Sequence, residues 1–159
     1  MFLLDANVFI FAHRDYYPPE RVPEYWSWLA YNADKGNIKV PQPIWDELKP
    51  QDEELKDWFK AHKDDFILNP DDSDMLVPDV LDKYAPDLTD AEIEQIGNDP
   101  FLIAAALRYK ATVVSKEGSK PSKKRANRKI PDVCRDLGVL CITDHRLIVE
   151  LDFRTNWRG

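Results

Sequence analysis

Four acidic residues stand where they are expected to share a divalent cation. Asp5 follows a short apolar run, Glu47 lies in an early helical pattern, Asp99 precedes a proline, and Glu117 follows another apolar run. Carboxylate oxygens are hard ligands that suit Mg²⁺ or Mn²⁺, and a cation lying among carboxylates relieves their mutual repulsion. Such a cation lowers the pKa of its bound water and stabilises charge on phosphate oxygens. The four acids therefore predict metal-dependent phosphate chemistry.

Asp5 is the first of these candidates because of its setting. The run Phe2-Leu3-Leu4 is typical of a buried parallel strand, and open α/β sheets bind ligands where their strands end. A carboxylate near a core is costly unless a cation, a metal or hydrogen bonds compensate for it. We expect Asp99 and Glu117 at the same sheet edge, with Glu47 reaching them from its helix. Taken alone, Asp99 is equally well explained as a helix cap and Glu47 as an exposed helical residue.

Strand-like and helix-like segments alternate along the chain. After a first strand that stops at Asp5, the pattern predicts strands at residues 38–40, 111–115 and 139–142. It predicts helices at residues 8–13, 22–34, 44–48, 52–63, 73–84 (interrupted at Pro78), 101–109, 131–137 and 144–151. This alternation predicts the α/β class, with one domain over residues 1–159 and a central parallel sheet covered by helices on both faces.

The charge of the chain is unevenly distributed. The whole chain carries −7, but residues 116–129 hold seven lysines and arginines against one glutamate, which leaves −13 on the rest. A basic segment on an acidic body indicates a localised contact with a polyanion, although a solvated loop explains it equally well. Lys116 and Lys120 lie closest in sequence to the acids and are the first candidates for phosphate contacts. The further candidates for binding RNA are Lys123, Lys124 and Arg125.

Other chemistries find little support in the sequence. Cys134 and Cys141 form no CxxC motif, and His13, His62 and His145 have no HxxxH or HExxH spacing, which argues against a zinc site. We expect both cysteines to be small core residues in a reducing compartment. No apolar run approaches the roughly 20 residues that cross a bilayer, and the N-terminus lacks the basic lead-in of a secretory signal. We therefore expect a cytoplasmic protein without membrane contact.

The segments around the four acids resemble those of PIN-domain proteins, metal-dependent ribonucleases that include the VapC-type toxins of prokaryotic toxin–antitoxin pairs. The resemblance covers nearly the whole chain. It rests on Leu3-Leu4-Asp5-Ala6-Asn7-Val8, Ile44-Trp45-Asp46-Glu47-Leu48, Asn98-Asp99-Pro100-Phe101-Leu102-Ile103-Ala104-Ala105-Ala106 and Val113-Val114-Ser115-Lys116-Glu117. A poorly characterised PIN-like subfamily is similar in the segments Tyr17-Pro18, Trp26-Ser27-Trp28-Leu29, Lys123-Lys124-Arg125 and Ile130-Pro131-Asp132-Val133-Cys134.

The resemblance implies a catalytic metal site and an RNA substrate. Asp5, Glu47 and Asp99 would be catalytic ligands of Mg²⁺ or Mn²⁺, and Glu117 would take the fourth position, where the family more commonly has Asp or Asn. The implied reaction is hydrolysis of an RNA phosphodiester by metal-activated water, leaving a 5′-phosphate and a 3′-hydroxyl. The implied partners are the RNA, a cognate antitoxin and a second copy in a homodimer. The implied supporting polar groups are Asn7 and Ser115.

Two other interpretations stay open at this point. Phosphatases of the haloacid dehalogenase type also open with an apolar strand and an aspartate, which they use as a nucleophile. They have a second acid two residues later, where this chain has Asn7. A PIN-like fold with a weakened fourth ligand would instead bind RNA or protein without cutting it. Metal-dependent cleavage that disappears in Asp5→Asn or Asp99→Asn would separate the enzyme from the binding module.

Overall fold

The computed structural model describes residues 1–49, 53–68 and 72–156. Its strands are β1 (Phe2–Leu4), β2 (Ile38–Pro41), β3 (Ile67–Leu68), β4 (Thr112–Val114) and β5 (Cys141–Ile142). Within the described residues these five form one parallel sheet in the order β3-β2-β1-β4-β5. Since β1 is the middle strand, its apolar residues Leu3 and Leu4 are fully buried.

Helices connect the strands and cover the sheet. They are α1 (Ala6–Phe11), α2 (Pro23–Asp34), α3 (Gln42–Trp45), α4 (Glu53–Phe66), α5 (Val77–Tyr84), α6 (Asp90–Ile96), α7 (Asp99–Tyr109), α8 (Ile130–Asp136) and α9 (Asp144–Glu150). The right-handed crossovers that parallel strands adopt place α2 and α4 on one face and α5, α7 and α8 on the other. The packing agrees, because α2 contacts α4, and α5 contacts both α7 and α8. The predicted α/β class, with a parallel sheet between helices, is confirmed.

The order of the strands creates a crevice at one edge of the sheet. The chain builds β2 and β3 on one side of β1 and then returns to add β4 and β5 on the other side. The direction of winding therefore reverses between β1 and β4, where open α/β sheets bind their ligands. The N–H of Asp5 donates to the carbonyl of Val114 at 3.0 Å, so the two strand ends lie side by side. Asp5 and Ser115 are the first residues beyond those ends.

A cluster of aromatic side chains fixes the helices on one face of the sheet. Phe9 of α1 packs edge-on against Phe59 and Phe66 of α4, with ring centroids 5.5 and 5.6 Å apart. Trp45 stacks on Phe66 at 5.6 Å. Pairs of this kind add about 0.5–1.5 kcal/mol each to the free energy of burial. Because Trp45 is held in this cluster, the turn that carries Glu47 is anchored two residues away from it.

The predicted helix over residues 44–48 is wrong at its end. α3 stops at Trp45, and Glu47 lies in the turn beyond it, where the N–H groups of Glu47 and Leu48 donate three residues back. The helix ends early because a proline follows Lys49, and proline disfavours helical geometry in the residue before it. Glu47 therefore approaches the other acids from a turn rather than from a helix.

Other boundaries also moved, and two elements were missed. The helix predicted at 8–13 is α1 followed by one π-helical turn, and the helix predicted at 73–84 is a 3₁₀ turn (Asp72–Leu76) followed by α5. Strand β3 and helix α6 were not predicted, although Thr89 and Glu92 form a capping box at the start of α6. The predicted start of the fourth helix, Asp52, lies outside the described residues, and α4 runs three residues beyond the predicted end at residue 63.

Two further expectations concern the cysteines and membrane-spanning helices. Cys134 is buried and Cys141 is partly buried, and both thiols are free. In the described ranges, none of the helices is long and apolar enough to cross a membrane.

Candidate active site

Asp5 is a buried acid at the switch between β1 and β4. Its residue is 3 % exposed, and its carboxylate accepts a hydrogen bond from the Ser115 hydroxyl at 3.2 Å. Burial raises the pKa of Asp5 to about 6, although hydrogen bonds from Ser115 and from the backbone of Asn7 oppose the rise. The repulsion of Glu117 and Glu47 raises this pKa further. The Asn7 residue itself is exposed, so its contribution at this point is its main chain.

Asp99 is the first residue of α7 and does not cap that helix. The N-cap position belongs to Asn98, which makes no side-chain capping bond and instead donates to the carbonyl of Pro43 at 3.2 Å. Burial raises the pKa of Asp99 to about 8, and the charges of Asp5, Glu117 and Glu47 add to the rise while Lys129 opposes it. The explanation of Asp99 as a helix cap therefore fails, and its carboxyl shares one electrostatic environment with the other three acids.

Glu117 is bound by groups of its own loop and of α8. Its Oε1 lies 2.9 Å from the Lys129 ammonium, and its Oε2 accepts the N–H of Ile130 at 2.9 Å. The N–H of Glu117 donates to the Ser115 hydroxyl at 3.1 Å, and that hydroxyl donates in turn to Asp5. Ser115 is thus a buried link between the first and the last of the four acids.

The donor set fits a hard divalent cation in its chemistry, because all four groups are carboxylates and their mutual repulsion is only partly offset. Glu47 is exposed, and its charge raises the pKa of both Asp5 and Asp99. In the part of the chain that the structure describes, however, no three His, Cys, Asp or Glu side chains are arranged so that they hold one metal ion as they stand. To hold a metal together with the other acids, Glu117 would have to leave its present partners, Lys129 and the Ile130 N–H.

A polar pocket of about 360 Å³ opens beside the acids and combines both charges. Asp99 and Glu117 form its acidic side. A carboxylate pair facing ammonium and guanidinium groups suits a ligand that carries phosphate and a cation together. The cations that line the pocket are Lys120, Lys123, Arg128 and Lys129.

The predicted RNA-binding residues are therefore not equivalent. Lys120 and Lys123 line the pocket, and Lys124 is exposed on the same loop. Lys116 lies 3.0 Å from an oxygen of the buried Asp144 and 4.5 Å from the centroid of the Tyr16 ring, and its side chain is 16 % exposed. Its ammonium is thus already used inside the fold.

Arg125 is likewise used within the fold, where it joins the basic loop (residues 116–129) to α6 and to the turn before that helix. Its guanidinium lies 2.7 Å from Asp87 and 2.7 Å from Glu92. The hydrogen bond from Arg125, together with the capping bonds at Thr89, lowers the pKa of Glu92 to about 2. The basic segment is consequently tied to the neighbouring helix.

Comparison with known proteins identifies the family of the chain. A family model described as a domain of unknown function, DUF4411, matches residues 2–155. The chain belongs to the DUF4411 family. No curated protein and no solved structure matches it. The DUF4411 match includes all four acids, the pocket and the whole basic loop.

Sequence reasoning missed three residues of this DUF4411 site. Lys129 and Arg128 line the pocket, and the buried Asp132 shapes the loop by accepting the Ser119 hydroxyl at 2.5 Å and the Lys120 N–H at 2.8 Å. One signal was available, because Pro131 marks the first turn of a helix and so places the residues just before it at the helix start. Pro131 thus indicated that Arg128 and Lys129 lie at the start of a helix, where they line the pocket.

Proposed function

We propose that this DUF4411 protein is a divalent-metal-dependent endoribonuclease that hydrolyses RNA phosphodiester bonds with metal-activated water. One observation carries the proposal: the buried Asp5 and the partly buried Asp99, with pKa values raised to about 6 and about 8, lie at the sheet switch, and Asp99 lines a pocket rich in cations. Carboxylates that repel each other in a buried site need a cation to be ionised together. Acids perturbed in this way, in a cleft, are typical of functional sites.

The proposal assigns the four acids to the metal. Asp5, Glu47, Asp99 and Glu117 supply oxygen ligands for Mg²⁺ or Mn²⁺, the cations that such ligands favour. When bound, the metal supplies an acidified water and stabilises charge on the phosphate oxygens. Ser115 holds the Asp5 carboxylate through its hydroxyl, which keeps that acid in place at the end of β1.

The basic side of the pocket binds the RNA backbone. Lys120 and Lys123 line the same pocket as Asp99, so a phosphate held by these lysines lies beside the acids. Contacts between lysine and phosphate give affinity and register but carry no base specificity. The proposed enzyme therefore derives any preference for sequence from other surfaces.

The motifs that resemble PIN domains, together with the parallel sheet, support placing this proposed activity among PIN-like ribonucleases. We accordingly propose that the protein acts in the cytoplasm as the toxin of a toxin–antitoxin pair, held by a small antitoxin and paired in a homodimer. Induced expression of the wild-type chain in a bacterial host should then arrest growth. The double variant Asp5→Asn/Asp99→Asn, expressed to the same level, should not.

The test of the enzymatic activity is cleavage of a pool of single-stranded and structured RNA by the purified protein. The reactions contain Mn²⁺, Mg²⁺ or EDTA, and Asp5→Asn is run beside the wild type. The control is Asp64→Asn, which removes one exposed acid on α4. We expect metal-dependent cleavage by the wild type and by Asp64→Asn, and none by Asp5→Asn. Equal cleavage by all three proteins would contradict the assignment of Asp5 to the active site.

A catalytically inactive RNA- or protein-binding module is the second candidate. It is favoured by one observation, that both Glu117 oxygens are taken up by Lys129 and by the Ile130 N–H. On this alternative, RNA binding would be insensitive to EDTA and no cleavage would accompany it. Metal-stimulated cleavage, lost in Asp5→Asn, would exclude this module.

A further inference from the structure

Lys129 is a cation of the acidic site to which the proposed function gives no role. Its ammonium lies 2.9 Å from Glu117, and its side chain is 33 % exposed. It lines the pocket together with Asp99, Lys120 and Lys123. One lysine thus contacts an acid proposed as a metal ligand and also faces the space proposed for a phosphate.

The backbone of Lys129 is firmly placed. Lys129 is the N-cap residue of α8, and the next residue, Ile130, is buried. The Ile130 N–H holds the other oxygen of Glu117 at 2.9 Å. The stem of Lys129 therefore starts from a fixed point next to the acids, and only its side chain is able to move.

The two arginines of the loop that precede Lys129 are already used by other groups. Arg128 lies 2.6 Å from Asp136 and also donates to the Lys83 carbonyl, and Arg125 is held by Asp87 and Glu92. Among the described residues, the ion-pair partner of Lys129 is Glu117, which is itself one of the four acids. If Glu117 leaves this ion pair, Lys129 is therefore the cation of the loop that loses its partner.

We infer that Lys129 is an internal counter-ion of the acidic site, which a divalent cation displaces from Glu117 and which then binds a substrate phosphate in the same pocket. The inference rests on the proposed metal-dependent nuclease function. Before the metal binds, the ammonium offsets part of the negative charge of the four acids. Once a divalent cation takes Glu117, two positive charges repel each other, and the ammonium turns to a phosphate. Lys129 is thus a phosphate-binding residue whose availability depends on the metal.

The first experiment measures Mn²⁺ affinity by electron paramagnetic resonance of the unbound ion, with the full chain and without RNA. Lys129→Met should bind Mn²⁺ about tenfold more tightly than the wild type, because a competing positive charge is gone. Lys129→Arg should retain wild-type affinity or bind more weakly. Lys60→Gln, which removes an equal charge from an exposed site on α4, is the control and should change little. Circular dichroism establishes that each variant is folded.

The second experiment measures binding of a fluorescent single-stranded oligouridylate by anisotropy, over a range of salt, with Ca²⁺ or with EDTA. With Ca²⁺, Lys129→Met should bind the RNA more weakly and lower the magnitude of the salt slope by about 0.7, the value for one lost phosphate contact on a single strand. With EDTA the loss should be smaller, because Glu117 holds the ammonium. Gel analysis after each titration establishes that the RNA is intact.

The outcomes separate this inference from the function on which it rests. If the wild type binds Mn²⁺ and cleaves RNA, but Lys129→Met matches Lys60→Gln in Mn²⁺ affinity, the counter-ion role is overturned and the nuclease function stands. If Lys129→Met loses the same RNA affinity in Ca²⁺ as in EDTA, the proposed movement of Lys129 from Glu117 to a phosphate is overturned. If the wild type binds neither Mn²⁺ nor RNA, the nuclease function fails and the inference falls with it.

Discussion

Asp99 shows at the scale of one residue which electrostatic effects dominate the site. As the first residue of α7, Asp99 benefits from the helix macrodipole, which stabilises an anion there by about 0.3–1 kcal/mol. Its pKa is nevertheless raised to about 8. Burial and the charges of three nearby carboxylates therefore outweigh the helix. Nearby carboxylates do not help a residue to cap a helix. They do strengthen the binding of a cation by a metal ligand, because every acid attracts that cation.

Replacing Asp99 with asparagine tests this assignment directly. Asp99→Asn should lower Mn²⁺ affinity by about 100-fold or more and abolish RNA cleavage, because it removes a proposed ligand. The fold should survive, since the amide has the same shape and carries no charge that must be buried. Isothermal titration with Mn²⁺ and a cleavage assay check the two effects, with Asp64→Asn as control. Full activity in Asp99→Asn would remove Asp99 from the site.

Ser115 tests the link between the first and last acids. Ser115→Ala removes the donor to Asp5 and the acceptor of the Glu117 N–H, and a buried unsatisfied N–H costs about 1–3 kcal/mol. We expect urea unfolding to show a loss in this range. The pH dependence of Mn²⁺ binding should also move to higher pH, because the hydrogen bond that lowers the pKa of Asp5 is lost. Ser122→Ala on the exposed loop is the control; a pH dependence that does not move would assign Ser115 to packing alone.

At the scale of elements, local patterns predicted the strands and helices that carry Asp5 and Asp99 because their signals are local. An apolar run before Asp5 and a proline after Asp99 are enough to place β1 and the start of α7. Glu47 was placed on a helix because the apolar pattern extends past Trp45, while the effect of the following proline was overlooked. The two residues of β3 are too few for any pattern to show.

The basic loop illustrates what local sequence does not contain. Lysines and arginines that look alike in sequence have different partners, because those partners come from α5, α6 and α9, far away along the chain. Arg125 is held by acids more than 30 residues before it, and Lys116 by Asp144. Tertiary contacts therefore decide which cations of the loop are left to bind a ligand, and Lys123 is one that lines the pocket.

This division of the loop gives a prediction for two variants of equal charge. Lys123→Gln should weaken binding of single-stranded RNA and lower the magnitude of the salt slope by about 0.7, since a phosphate contact is lost. Arg125→Gln should leave the slope nearly unchanged and instead raise hydrogen exchange over residues 116–129, because it releases the loop from α6. Its global cost should stay below about 1 kcal/mol, as for other exposed ion pairs. A full loss of slope in Arg125→Gln would show that Arg125 contacts RNA itself.

For the whole molecule, the decisive feature is that opposite charges meet at the topological switch. The body of the chain is acidic, yet the sheet order brings the carboxyl ends of β1 and β4 beside a loop with a local charge of +6. Under the proposed function, the negative charge of the body would repel RNA and the positive charge of this loop would attract it to the edge that holds the acids. Repulsion among those acids has a cost for the folded state, and that cost makes stability depend on pH and, under the proposed function, on metal.

The sign of this dependence follows from the pKa values. In the folded protein the pKa of Asp5 is raised from 3.8 to about 6 and that of Asp99 from 3.8 to about 8, so between pH 3.8 and about 8 the folded state binds more protons than the unfolded state. The contribution of these two acids to the free energy of unfolding therefore falls as pH rises through this window and levels off above about pH 8. Asp99→Asn should lose most of the upper part of this dependence.

Thermal unfolding from pH 5 to 9, with EDTA or with Mn²⁺, measures the effect. With EDTA, the difference in Tm between Asp99→Asn and the wild type should shift in favour of the variant as pH rises. Mn²⁺ should raise the Tm of the wild type more at pH 8 than at pH 6, because the cation binds the ionised acids of the folded state and protons compete with it. The Tm of Asp99→Asn should respond much less to Mn²⁺ at either pH. If Mn²⁺ stabilised both proteins equally, its binding site would lie elsewhere on the molecule, and the acids at the sheet switch would have to be explained without a metal.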